Sequence, residues 1–207
     1  MKRLLNVSGG VVLFLILSLA FYGCQLFGIS KYSEKEKAEL VGEAVAGGGA
    51  LADSSSKAVV TVTTDTGGTI TYDNSVDGSG LQGSQFYSDI SSWGAGTQYF
   101  SLTYSELQET VKDSKGNDVT VVLNGDLYWA TNVTVDLQTG DLSGKMIFYG
   151  KTSGTVDGEA FENYTIDIKF EYTYSAGSHS FNGSITGTVN GETVSNTVTY
   201  SVTTSGA

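Results

Sequence analysis

Three groups of side chains in this sequence are of a kind that could do chemistry. The first is His179, the lone histidine, at the start of a strand-like run beside Ala176-Gly177. A Ser-His-Asp relay would have to use it, but no G-x-S-x-G elbow or other nucleophile setting accompanies it, so it reads as a strand-end histidine. The second is Asp167 with Glu171 in "YTIDIKFEYTY", two carboxylates on one side of a strand. Four strand residues set them about 13 Å apart at about 3.3 Å per residue, longer than either carboxylate spacing used in glycoside hydrolysis. Lys169 lies between them, and Thr186 and Asn182 are expected opposite, so the pair reads as solvated sheet surface. The third is "DNSVDGSG", which puts Asp73, Ser75, Asp77 and Gly78 at the first positions of a calcium loop. Its last ligand position is Ser84 where a bidentate Glu is needed, and no flanking helices are evident, so it reads as a turn. One histidine and one cysteine exclude metal sites built on those ligands, and "GGG" at Gly47 follows a helix where a phosphate loop would precede one. The expectation is a protein with no catalytic residue, cofactor or metal.

The cysteine, Cys24, has a different setting. Lys2 and Arg3 are followed by "VVLFLILSLAFY" and then Gly23, the basic, apolar and small-residue layout of an export signal. The apolar run is shorter than the roughly 20 residues of a membrane span. The segment "FYGC" resembles the lipobox of bacterial lipoproteins, matching at Gly23 and Cys24, with Phe21 where Leu is usual and Tyr22 where a small residue is usual. The resemblance implies cleavage before Cys24, lipidation of its thiol, and attachment to a membrane. A lipidated Cys24 would also remove a free thiol from an oxidising compartment. Gln25 in the second mature position, where Asp would retain the protein at the inner membrane under the enterobacterial-type rule, implies the outer membrane, on its periplasmic or surface face.

Net charge is −11, with 11 Lys+Arg against 22 Asp+Glu, and Arg3 is the sole arginine. A chain starting at Cys24 would hold nine lysines and no arginine, which excludes nucleic acid as a partner. The sequence has no proline, 27 glycines and 12 tyrosines, a composition of folded β structure rather than disorder.

The elements that must hold these residues are legible in the periodicity. Ser33 and Glu36 form a capping box, and Leu40, Val41, Ala44 and Val45 an apolar stripe, so a short helix is expected to start after Ser33 and end at Gly47. "GGGALADSSSKA" reads as a linker. From Ala58 the period is 2, with strands around Thr66-Gly67-Gly68, weaker ones at Gln85–Ile90 and Gln98–Tyr104, and then regular turn markers at Asn124-Gly125, Thr139-Gly140, Asp157-Gly158, Ala176-Gly177 and Asn190-Gly191. A four-residue loop Gln138–Asp141 sets Leu137 opposite Leu142 and Val133 opposite Met146. A two-residue turn at Ala176-Gly177 sets Tyr172 opposite Phe181 and Ile168 opposite Ile185. Asn190-Gly191 sets Gly187 opposite Val194. All three put one apolar face together.

The expected fold is therefore all-β: an antiparallel meander of about eight to ten strands, as an up-and-down barrel or strongly curved sheet, with one short N-terminal helix. Residues 1–23 would be the lipoprotein signal, 24–57 a lipidated tether with helix and linker, and 58–207 the β domain. The functional expectation is a lipid-anchored envelope protein that binds or supports rather than catalyses. Its partners are the membrane, through Cys24, and an apolar ligand in a periplasmic carrier or a protein or glycan in a surface adhesin or coat protein.

Overall fold

The computed structural model describes residues 30–50, 59–64, 67–176, 178 and 180–201. The signal segment, Cys24, Gln25, linker residues 51–57, Thr66, Gly177 and His179 lie outside the described residues. The described residues from Glu34 onward form one compact unit, which carries the fold.

That unit begins with helix α1 (Glu34–Ala50), followed by strands β1 (Val59–Thr63) and β2 (Thr69–Asp73). A 3-10 turn (Gly78–Leu81) and a single helical turn α2 (Tyr87–Ile90) come next. Then come β3 (Gln98–Lys112), β4 (Asp118–Val135), β5 (Leu142–Val156), β6 (Glu159–Ser175), β7 (Ser180–Val189) and β8 (Glu192–Ser201). The eight strands make one antiparallel sheet in chain order, the all-β meander expected from the alternation. The sheet does not close into a barrel: β1 and β8 are its two edges.

Alternation sorts the side chains into two faces. The inner face carries Ile70, Tyr72, Leu102, Tyr104, Leu123, Trp129, Phe148, Ile168, Phe170 and Val194, all buried. Helix α1 lies on this face with Leu40, Val41, Ala44 and Val45 at 4 % exposure or less. It touches every strand from β3 to β8, most extensively the flanking pair β3 and β8, so the sheet curls about it. Two strand glycines allow the neighbouring strands to approach closely: Gly125 and Gly150 sit at φ 138° and 155°, where a side chain would meet the carbonyl of the neighbouring strand.

Three local expectations are corrected. Helix α1 runs through Gly47 to Ala50, because docking on the sheet outweighs the low helix propensity of glycine. Asn124-Gly125 is not a turn but lies inside β4. The Asn124 side chain accepts the N–H of Glu106 (2.8 Å), a residue at φ 51° in a bulge of β3. The segment at Gln85–Ile90 is not a strand, for reasons given below.

Two of the expected registers are also shifted. The β4–β5 loop has six residues, Asp136 to Asp141, closed by the Asp136 N–H on the Asp141 carbonyl (2.8 Å), so Leu142 pairs with Val135 and Met146 with Thr131. Leu137 is left 93 % exposed in that loop. The β6–β7 loop has four residues, so Phe181 pairs with Tyr174 and Ile185 with Phe170. Each shift is two residues, which preserves the alternation and keeps the apolar set on the inner face. The Asn190-Gly191 register is as expected, with both residues at positive φ (51° and 82°) as a type I′ turn requires.

Two carboxylates are caught at the helix–sheet contact. Burial pushes the carboxyl of Glu109 up, and that of Glu43 likewise, the latter opposed by the amide of Asn196, which donates to its Oε1 (3.1 Å), and reinforced by Glu39. A raised carboxyl holds its proton more tightly in the folded state, so this contribution to stability falls as pH rises above about 4.5. Glu109→Gln is therefore expected to stabilise the protein at pH 7 and to match wild type at pH 4, as read by urea denaturation at both values. Equal stability of the two proteins at pH 7 would contradict this.

Candidate functional site: a groove on the outer face

The outer face is ordered in rows that cross the strands. One row runs Ser101, Tyr128, Tyr149, Asp167; the next Tyr99, Ala130, Ile147, Lys169. These two rows are covered by residues 78–93. Leu81 and Ile90 bury themselves on Ala130 and Ile147, with Phe86, Trp93, Tyr99 and Tyr149 packed around them. Gly80 and Gly83 lie directly on the rings of Tyr128 and Tyr149, where a Cβ would come within 2.2 Å of ring or hydroxyl atoms. This second core is why Gln85–Ile90 forms turns: the segment is held flat against the sheet instead of pairing within it.

Asp167 fastens the cover. Its carboxylate, 8 % exposed, accepts the Ser84 hydroxyl at 2.6 Å and the Gln85 N–H at 2.9 Å, and its carbonyl accepts the Gln85 amide at 3.3 Å. Lys169 reaches Asp89 at 3.4 Å and lies 5.4 Å over the Phe86 ring. The expectation of a solvated Asp167–Glu171 pair is thus half wrong. Glu171 is on the wet part of the face, between Lys145 (3.7 Å) and Lys169 (3.8 Å), whereas Asp167 is a buried clip. Their strand partners are Thr188 and Ser184, two places from the expected ones.

Beyond the cover the rows continue with no other described segment over them. Asn132, Lys145, Glu171 and Ser184 form one row over β4 to β7, and Thr134, Ser143, Thr173 and Asn182 the next. These eight residues line an open groove of about 610 Å³ walled at the β4 end by Ser92 and Trp93. The Asn132 amide donates to the Trp93 carbonyl at 3.1 Å, fixing the wall to the sheet. A second groove of about 320 Å³ shares Thr134, Ser143, Thr173 and Asn182 and extends the first toward the β4–β5 loop.

The inner face holds a different arrangement. Tyr72 Oη, Trp129 Nε1 and Thr131 Oγ1 are buried and have no hydrogen-bond partner among the described residues. Trp129 stacks on Phe100 and Phe148 (centroids 4.6 and 5.9 Å) and lies 6.4 Å from Tyr72. Burial, with Glu109 nearby, pushes the Tyr72 phenol up to about 12.

The calcium-loop segment is a turn. Asp73 Oδ1 accepts both the N–H (2.8 Å) and the hydroxyl (2.6 Å) of Ser75, and Asp77 caps the 3-10 turn through the Ser79 N–H (2.9 Å). Those bonds hold both carboxyls below the usual range. Among the described residues no three His, Cys, Asp or Glu side chains converge as a metal site would need. No family model, curated protein or solved structure matches this chain.

Proposed function

We propose that this chain is a lipid-anchored bacterial envelope protein whose β domain binds a partner in the outer-face groove and does no chemistry. The observation that carries the binding half is the groove itself: an ordered double row of hydroxyl, amide and paired charged side chains at one open end of a face whose middle rows are covered by its own loop. The lipobox-like "FYGC" supports the anchored half, with Cys24 carrying the lipid and the outer membrane as destination. On the inner face, side chains as large as Phe148 and Phe170 are sealed to 1 % exposure or less beneath an open sheet, which argues against a hollow carrier.

One observation favours a second reading, a carrier for an amphiphilic ligand: three buried polar atoms on the inner face that have no partner among the described residues. A single experiment addresses both. Protein extracted from membranes of the expressing bacterium is weighed intact and under native conditions. The expected result is a polypeptide beginning at Cys24 with a covalent diacylglyceryl adduct, lost in Cys24→Ser together with membrane retention. An unmodified chain would overturn the anchor, and a stoichiometric non-covalent lipid would favour the carrier.

A further inference from the structure

We infer that the groove is a subsite array for a neutral, linear glycan lying across strands β4 to β7, an inference that rests on the binding reading above. The two uncovered rows repeat once per strand, and neighbouring strands are about 4.8 Å apart, close to the length of one pyranose unit in an extended chain. Each step along the groove therefore offers a fresh pair of polar side chains: Asn132 with Thr134, Lys145 with Ser143, Glu171 with Thr173, Ser184 with Asn182. These are donors and acceptors of the kind that vicinal hydroxyls satisfy in pairs. Trp93 closes one end with an aromatic surface on which the apolar face of a sugar ring can rest.

Charge selects against the alternatives. Lys145 and Glu171 offset each other at 3.7 Å, so the groove lining carries no net charge. It sits on a chain of net charge −11, which repels polyanions. An extended peptide would dock along an edge strand, parallel to it, and would not follow a ladder that runs perpendicular to the strands.

The test is isothermal titration of the full-length protein in detergent with linear di- to hexasaccharides of the cello-, chito- and malto- series, and with oligogalacturonate as the anionic control. In at least one neutral series affinity is expected to rise with each added unit and to level off at about four, the number of strands crossed. Oligogalacturonate is expected not to bind. Thr173→Tyr fills the middle of the second row from an exposed, strand-compatible position, and is expected to weaken binding about tenfold or more with an unchanged melting curve. No binding in any neutral series, binding of oligogalacturonate alone, or equal binding by Thr173→Tyr would overturn the assignment. So would capture of an envelope protein that Thr173→Tyr abolishes while every sugar fails, which would make the groove a protein-binding site. None of these outcomes bears on the lipid at Cys24, so the two readings fail separately.

Discussion

Asp167→Ala is expected to lower the stability of the β domain by about 3 kcal/mol and to loosen residues 78–93 selectively. The carboxylate satisfies the Ser84 hydroxyl and the Gln85 N–H in a site from which water is largely excluded. Removing it strands both donors, and a buried donor without an acceptor loses its full desolvation cost. Ser84 Oγ in turn accepts the Phe86 N–H at 3.1 Å, so the loss propagates to the ring that Lys169 covers. Amide hydrogen exchange should rise in residues 84–93 before it rises in β5 or β6. Because the Trp93 wall belongs to this cover, glycan affinity should fall with it. Uniform exchange across the sheet would show that Asp167 acts only on global stability, contrary to the clip assigned to it.

Gly154 is expected to be the least replaceable residue of the sheet. It pairs with Leu123 and Phe161 next to the register shift in the β5–β6 ladder. A Cβ there would lie 1.7 Å from the Val122 carbonyl oxygen and 2.8 Å from its carbon. Backbone cannot step aside as a side-chain tip can, so Gly154→Ala must part β4 from β5 beneath the helix. A cost of about 4 kcal/mol or more is expected, at the exceptional end for a point substitution. That corresponds to a fall in melting temperature of roughly 10 °C for a chain of this size. Gly158→Ala is the control: it has positive φ (83°) but nothing within 4 Å of the added carbon, so only conformational strain is paid. Its cost should be about 1 kcal/mol. A Gly154→Ala protein as stable as the Gly158→Ala protein would refute the backbone clash.

The meander was legible because a period of two survives errors that individual turns do not. The turn markers set Leu142 and Ile185 opposite partners two places off, yet both lie on the inner face, since only an odd slip inverts a strand. Loop length carried no comparable signal: "DLQTGD" closes through Asp136, which holds the Gln138 and Thr139 N–H groups, and nothing in the flanking strands foretells this. Asn124-Gly125 imitates a hairpin turn because a glycine at positive φ (138°) is also needed inside the strand, beside the bulge of β3. The buried role of Asp167 has no local signature, because its partners are more than 80 residues away, but one sign of it lies on the neighbouring strands. Tyr128, Ala130, Ile147 and Tyr149 occupy outer positions of neighbouring strands, a concentration of apolar residues that a fully wet face would not carry. The groove needed the true registers, because its two rows exist only when β4 to β7 are aligned as they are.

Helix α1 has a consequence for the order in which the chain can acquire its structure. Every ladder joins strands adjacent in sequence, so the sheet can grow hairpin by hairpin with short loop closures. The helix is the exception. Made first, it rests on Val189 and Val194 at Gly42 and receives the Asn196 amide on Glu43, a contact spanning 153 residues. Its apolar stripe therefore has no complete resting place until β8 has been made. A chain caught before that point keeps its inner face open however many hairpins have formed, and is then the form most exposed to misassembly.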